Sequence, residues 1–310
     1  MMKSNYIWMD GELVPFERAT VHFLTPTLHY GTGVFEGIRC YETSKGPAVF
    51  RLKPHLRRFL KSAQIAGIRD FPYTEAQLHH AVHQTIRANG FSSCYIRPLI
   101  YMVGPLGLDL DDWEPAVGIA VWEWAPFLGE DSAERGVRMM VSSFTRHHPN
   151  VMMTKAKITG NYVNSTLAKT LAKRAGFDEA VMLDPSGFVA ECSGENLFLV
   201  QDSVIYTPPR TTILEGITRD ALLTLAGDLE IPVVETQISR DQLYTADEVF
   251  VCGTAAEVVP VGEIDFRQIS GGRRGPVTHQ LQTAFRAAVR GEHARSYEWL
   301  DYVDETVLAC

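Results

Sequence analysis

The chain has 310 residues, more than one ordinary small core needs, which suits two domains of typical size. Hydrophobic residues make up 45% and charged residues 21%, ordinary for a globular protein. The formal net charge of −8 argues against a nucleic-acid surface, though not against a local basic pocket, and no apolar run is long enough to span a bilayer.

In chain order, residues 48–52 read as a strand, and Pro54 then opens a helix at a first-turn position. Leu56, Phe59, Leu60 and Ala63 give that helix an apolar stripe, and Gly67 stops it. A second helix starts after Thr74, with Gln77 completing a capping box, and ends at Asn89-Gly90. Residues 94–102 read as a strand with Tyr95, Arg97, Leu99 and Tyr101 on one face, and Pro98 suggests an edge position. Another strand, 117–122, closes the first half. Proline, glycine and charge displace the apolar pattern at 126–136, so domains are expected at 1–125 and 137–310, with that stretch between them.

Beyond the break, 137–142 reads as a strand and 161–175 as a helix, with Leu167 and Leu171 on one face and Gly176 as its stop. Strands 180–183 and 188–191 flank the turn Asp184-Pro185-Ser186-Gly187, and 196–200 continues the meander. Thr218 precedes a helix through Leu229, and 248–252 is a strand running into the Gly253 turn. Cys40, Cys94, Cys192, Cys252 and Cys310 are scattered, odd in number and never in a Cys-x-x-Cys pair, which favours reduced thiols over a disulfide framework or a zinc site. The opening residues show no apolar segment like that of a signal peptide, so a cytoplasmic location is expected.

The chemistry centres on Lys157, in Lys157-Ile158-Thr159-Gly160-Asn161-Tyr162 just before a helix. Most lysines are simply solvated, and Lys155 lies two residues away, so the pair alone singles out neither. Its company changes the reading. Tyr162 could hydrogen-bond a cofactor's phenolate oxygen, and Glu191, beside Gly194, ends a strand where a carboxylate can keep a pyridine nitrogen protonated. Gly216-Ile217-Thr218 opens a helix and Gly253-Thr254-Ala255-Ala256 forms a second small-residue turn, both able to present amides to a phosphate. Arg58 could supply the cation, with Arg57 as the alternative. A lysine, a strand-end carboxylate and two such turns are the parts a pyridoxal phosphate enzyme needs. The stretch Leu28 to Arg39 fails as a dinucleotide fingerprint because its third glycine is Gly37, where the spacing needs one at position 36. His79-His80 and His147-His148 read as solvated side chains, and no metal is expected.

Taken together, Leu28-His29-Tyr30-Gly31, Phe35-Glu36-Gly37-Ile38-Arg39, Tyr95-Ile96-Arg97-Pro98-Leu99, Lys157 to Tyr162, Gly194-Glu195-Asn196-Leu197-Phe198, Gly216-Ile217-Thr218-Arg219 and Gly253-Thr254-Ala255-Ala256-Glu257 resemble the bacterial branched-chain amino acid transaminases. The similarity runs from about residue 6 to the region of Trp299-Leu300. The resemblance implies a fold-type IV pyridoxal phosphate enzyme, α+β, with a small N-terminal domain, a larger pseudo-barrel domain and the cofactor between them. It implies that Lys157 forms the internal aldimine, Glu191 pairs the pyridinium and Tyr162 touches the ring oxygen. Arg58, Gly216, Ile217, Thr218 and Thr254 would hold the phosphate, with Leu214 against the ring. Tyr95, Thr254 and Ala255 would bind the α-carboxylate, while Tyr30, Phe35, Tyr162 and Trp124 wall an apolar side-chain pocket. Arg97, with Tyr30, would receive the distal carboxylate of 2-oxoglutarate or glutamate. That answers a physical problem, since one pocket must take both an isobutyl group and an acid, and an arginine can pair the acid yet turn its planar face to an aliphatic chain. Phe127 stands where the family carries a tyrosine, and the loop 104–110, which in the family borders the neighbouring subunit's site, differs in detail.

The resemblance further implies a ping-pong exchange between L-leucine, L-isoleucine or L-valine and 2-oxoglutarate, with Lys157 as the proton carrier, in a homodimer or a hexamer. The rivals are a D-amino acid or (R)-amine transaminase of the same fold, an aminodeoxychorismate lyase, and a non-catalytic binding protein.

Overall fold

The computed structural model describes residues 4–124 and 132–303. Packing divides the chain into two compact units. The first takes Met1–Trp124, Ala156–Gly160 and Ala287–Cys310, and the second Ala125–Lys155 and Asn161–Arg286. Where sequence suggests one break at 126–136, the chain thus also lends a five-residue segment and its last stretch to the first unit. Residues 126–131 of that expected linker, Phe127 among them, lie outside the described residues. None of the described helices is long and apolar enough to cross a membrane.

In the first unit the strands are β1 (Tyr6–Met9), β2 (Glu12–Pro15), β3 (Val34–Phe35), β4 (Ile38–Thr43), β5 (Gly46–Phe50), β6 (Cys94–Val103) and β7 (Glu114–Trp122). With the strand Leu300–Tyr302 beyond β5, the path runs β5-β4-β6-β7-β1-β2, and β3 also pairs with β6. The helices are α1 (Pro26–Tyr30), α2 (Leu52–Ile65) and α3 (Glu75–Asn89). Thr74 caps α3 through the expected box with Gln77, and Gly90 ends it in the left-handed region. The α2 helix begins at Leu52, two residues before Pro54, and buries Leu56, Phe59 and Ala63. That stripe packs with Leu78 and Val82 of α3 against Ile96 and Ile100 of β6. Because side chains alternate across a strand, Tyr95 and Arg97 then stand on the opposite face.

Pro98 does not mark an edge. The β6 strand is central, pairing with β7 on one side and with β3 and β4 on the other. The missing N–H falls where β3 gives way to β4, and the Pro98 carbonyl there accepts the Glu36 amide at 3.0 Å.

The second unit contains α4 (Ser132–Arg135), α5 (Tyr162–Arg174) and α6 (Ile217–Asp228). Its strands are β8 (Val137–Val141), β9 (Glu179–Leu183), β10 (Val189–Cys192), β11 (Asn196–Gln201), β12 (Val204–Thr207), β13 (Val233–Glu235), β14 (Glu248–Gly253) and β15 (Glu257–Ile264). They are ordered β10-β9-β8-β15-β14-β11-β12-β13, with parallel pairing at β8·β9, β8·β15 and β12·β13. The apolar face of α5 is not Leu167 with Leu171. Ala168 and Ala172 are buried against Phe177, Ala180 and Met182, and Ser165 is buried on the same helix, while Leu167 is exposed. Small side chains let the helix axis approach the sheet closely, and this overrides the leucine periodicity.

Candidate functional site

The candidate residues fall into two groups, one in each unit. In the first unit, Lys157 sits on a strap fastened to the segment after α1. Its carbonyl accepts the Phe35 amide at 3.0 Å, its amide donates to Ser62 Oγ at 3.0 Å, and Val34 and Ile158 form a bridge. Thr159 Oγ1 donates to the carbonyls of Gly31 and Gly33. A Cβ on Gly31 would lie 2.8 Å from Gly160 Cα, so the close approach and the positive φ of 68° both require glycine. The strap brings Lys157 Nζ over the Phe35 ring, 4.9 Å from its centre. Lys155, in contrast, belongs to the second unit, where its ammonium donates to the carbonyls of Arg210 and Ile213 and pairs with Glu215.

Beside the strap lies a charged cluster in which Arg58, expected from sequence as a cation, meets Glu36 and His55, which the sequence did not single out. Glu36 is fully buried and accepts from His55 Nδ1 at 2.8 Å and from Arg58 Nε and Nη2 at 2.6 and 2.8 Å. His55 and Arg58 are three apart on α2 and so point the same way. Burial alone would raise the Glu36 carboxyl, but Arg58 and His55 outweigh it and hold the acid well below the usual carboxylate range. Burial pushes His55 down, with the charges of Arg58 and Lys157 adding to that effect against Glu36. Arg57, the alternative cation, is exposed and paired with Glu75.

An aromatic cage completes this group. The Arg97 guanidinium lies 4.7 Å from the Phe35 ring centre and 5.4 Å from that of Tyr95, and its Nη2 donates to the Tyr95 hydroxyl at 3.3 Å. Trp124 stacks on Tyr95 with centroids 4.5 Å apart, and Trp122, not anticipated, lies 5.1 Å from Tyr95. Arg97 Nε is buried and makes no hydrogen bond among the described residues. A Cβ on Gly37 would sit 2.1 Å from the Tyr95 hydroxyl, so glycine there sets the position of the tyrosine. Tyr30 is not among these rings. It stacks on Trp113 at 5.7 Å and 7° and is 39% exposed.

In the second unit, Glu191 is buried on β10, and a bond from Arg146 Nη2 to its Oε1 at 2.7 Å holds it. Asn196 Nδ2 and the Leu214 amide donate to its other oxygen, each at 3.2 Å. Asn196 also donates to the Leu214 carbonyl at 3.1 Å, locking the chain just before α6. Gly216 is the N-cap of α6, and among the described residues no side chain caps that helix, which leaves the first-turn amides at Ile217 and buried Thr218 without a capping side chain. Thr254 and Ala255 lie in the turn joining β14 and β15, closed by the Gly253–Glu257 pair. Tyr162 is the first residue of α5. Arg146 and Asn196 were missed by sequence reasoning. Asn196 stands inside the motif Gly194-Glu195-Asn196 and Arg146 directly precedes His147-His148, and neither has a sequence signal of its own. His147 itself is half-buried, and burial with the neighbouring Arg146 charge pushes it down to about 4, so it is neutral near pH 7.

Comparison with known proteins places this geometry. Residues 33–264 match the family described as amino-transferase class IV. A branched-chain-amino-acid aminotransferase of Pseudomonas aeruginosa is 48% identical over 298 residues, 96% of this chain and 97% of that relative. The crystal structure of the Escherichia coli branched-chain amino acid aminotransferase superposes with a TM-score of 0.94 at 45% identity, covering 97% of this chain and 100% of that one. The T.th. branched-chain amino acid aminotransferase complexed with N-(5'-phosphopyridoxyl)-L-glutamate gives a TM-score of 0.91 at 48% identity, covering 98% and 100%. The chain therefore belongs to the class IV aminotransferases and, among them, to the branched-chain-amino-acid aminotransferases.

Proposed function

We propose that the chain exchanges the amino group of L-leucine, L-isoleucine or L-valine with 2-oxoglutarate, using pyridoxal 5'-phosphate held covalently through Lys157 Nζ. The side chains suit that cofactor: an amine on a fixed strap, a buried carboxylate with its own cation, and an uncapped helix start with a hydroxyl at Thr218. Glu191 would hold the ring nitrogen and Tyr162 the ring oxygen. Arg58, Gly216, Ile217, Thr218 and Thr254 would hold the phosphate, with Leu214 beside the ring. When bound, the cofactor supplies an electron sink for the charge left as the substrate Cα loses its proton. Lys157 Nζ takes up that proton. Tyr95, Thr254 and Ala255 bind the α-carboxylate.

The observation that carries the substrate reading is Arg97, whose guanidinium lies over the faces of Phe35 and Tyr95. A glutamate or 2-oxoglutarate carboxylate would pair with that guanidinium, whereas a branched aliphatic chain would lie against the rings of Phe35 and Trp124. Phe23 and Leu108 are 76% and 87% exposed, and with half-exposed Tyr30 they support a homo-oligomer in which a second copy covers these side chains. The buried thiols Cys40, Cys94, Cys192 and Cys252 suit a reducing cytoplasm.

A steady-state panel of L-leucine, D-alanine and an (R)-amine against 2-oxoglutarate tests the assignment. L-Leucine should be the donor used, whereas preference for D-alanine or the amine, or pyruvate release without an acceptor, would overturn it. Lys157→Ala should abolish turnover and the visible cofactor band; retention of both would remove Lys157 from its role.

A further inference from the structure

Away from both groups of candidate residues, three side chains of the first unit converge in a way that the transamination reading leaves unused. His79 and His83 lie four residues apart on α3, so one turn of helix stacks their rings at a centroid distance of 4.6 Å. Asp301, on the strand Leu300–Tyr302, faces both, with Oδ2 2.7 Å from His79 Nε2 and Oδ1 2.9 Å from His83 Nε2. The three ligand atoms all fall within 4.8 Å of one another. Sequence alone pairs His79 with His80, which is exposed, whereas the fold supplies a donor 222 residues further on.

Burial distinguishes this cluster from a pair on the open surface. His83 is more than nine-tenths buried, and its Nε2 is aimed at Asp301 Oδ1, 2.9 Å away. A nitrogen so placed directs its lone pair into the cluster when the imidazole is neutral and protonated at Nδ1. Two imidazoles and one carboxylate form a borderline donor set that suits zinc and disfavours magnesium or calcium, which want oxygen ligands. A tetrahedral zinc ion with Zn–N bonds of about 2.0–2.1 Å needs donors roughly 3.3 Å apart. The two His–Asp spacings of 2.7 and 2.9 Å reach that by a small outward shift of Asp301, and His79 and Asp301, both partly exposed, have room to adjust.

We propose that His79, His83 and Asp301 bind a zinc ion, with water as fourth ligand, that clasps α3 to the strand Leu300–Tyr302. The site uses no residue of the transamination reading and stands or falls apart from it. Because β5 carries that strand at its edge, with Asp301 opposite Val49, the ion ties the end of the sheet to the helix layer.

The test uses cofactor-loaded protein dialysed against a chelator and titrated with zinc chloride by calorimetry. One equivalent should bind and raise the unfolding midpoint, and cobalt substitution should give the strong visible bands of a tetrahedral ion. His79→Ala and Asp301→Asn remove ligands at partly exposed positions and are expected to keep transaminase activity. Each should weaken zinc binding by more than the ~10–100-fold seen when an outer partner of a metal ligand is lost. His80→Ala should bind like the parent. Absence of stoichiometric binding, or equal binding by the parent and both ligand variants, overturns the site and leaves only an ion pair.

Discussion

At the scale of single residues, the most consequential charge is one that contacts no predicted ligand. Glu36 is wholly buried between His55 and Arg58, and its negative charge allows a guanidinium to be held rigidly beside Lys157's strap. Breaking such a pair leaves an uncompensated cation in a dry site, which costs about 3–5 kcal/mol. Glu36→Gln keeps the shape but not the charge, and urea unfolding should show a loss of that order. The sign of its pH dependence follows from the lowered carboxyl. A folded-state value below the ordinary 4.5 gives stability that is present above 4.5 and lost as the pH falls beneath it. The variant should therefore lose part of the wild-type decline on the acid side. An unchanged acid limb, or a loss well under 1 kcal/mol, would show that the cluster is not held by charge.

At the scale of elements, what was legible followed local rules. The Thr74–Gln77 box, the stripe of α2 and the stop at Gly90 depend on neighbours in sequence and appear where periodicity and capping place them. Long-range pairing decided the rest. Pro98 reads as an edge residue until a break between β3 and β4 removes the need for its N–H, and alanines displace leucines on α5 because a sheet lies beneath. The candidate site divides in the same way. Lys157, Glu191 and the two turns stand in compact motifs, whereas Ser62, Trp122 and Arg146 become visible only when distant segments meet. The start of α6 offers a direct test. Gly216 has φ −68° and ψ 132°, which alanine adopts freely, but an added Cβ would lie 2.0 Å from Asn196 Oδ1. Asn196 is held by Glu191 and the Leu214 carbonyl and cannot retreat without releasing the carboxylate. Gly216→Ala should thus cost about 1–3 kcal/mol of stability by overpacking. It should also weaken pyridoxal phosphate binding at least about tenfold, as one misplaced anchor worth roughly 1.4 kcal/mol would. Reconstitution of stripped enzyme followed by the visible band measures this. Binding equal to the parent would mean that the α6 start is not the phosphate cradle.

On the scale of the whole molecule, the two units carry buried acids of opposite character, so the chain should respond to pH from both sides. In the first unit, Glu36 is held below the ordinary carboxylate range, and its contribution fades on acidification. In the second, Glu195 is buried on the chain between β10 and β11, and burial followed by the Glu179 charge raises its carboxyl, against the opposing charge of Lys169. Lys169 is already engaged by Glu179. A raised folded-state value means that the native protein holds this proton more tightly than the unfolded chain does. The stability it brings is complete below the ordinary 4.5 and drains away as the pH climbs through the raised value. Glu195→Gln supplies a permanent neutral donor toward Glu179 without that proton. The unfolding temperature of the variant should match the parent near pH 5 and exceed it on the alkaline side, flattening the decline. Calorimetry across the pH range separates this from a general effect of removing one negative charge from a chain of net charge −8, which would raise the curve at every pH where carboxylates are ionised. Parallel curves for the parent and the variant would show that Glu195 is ionised in the native state and that Lys169 neutralises both acids.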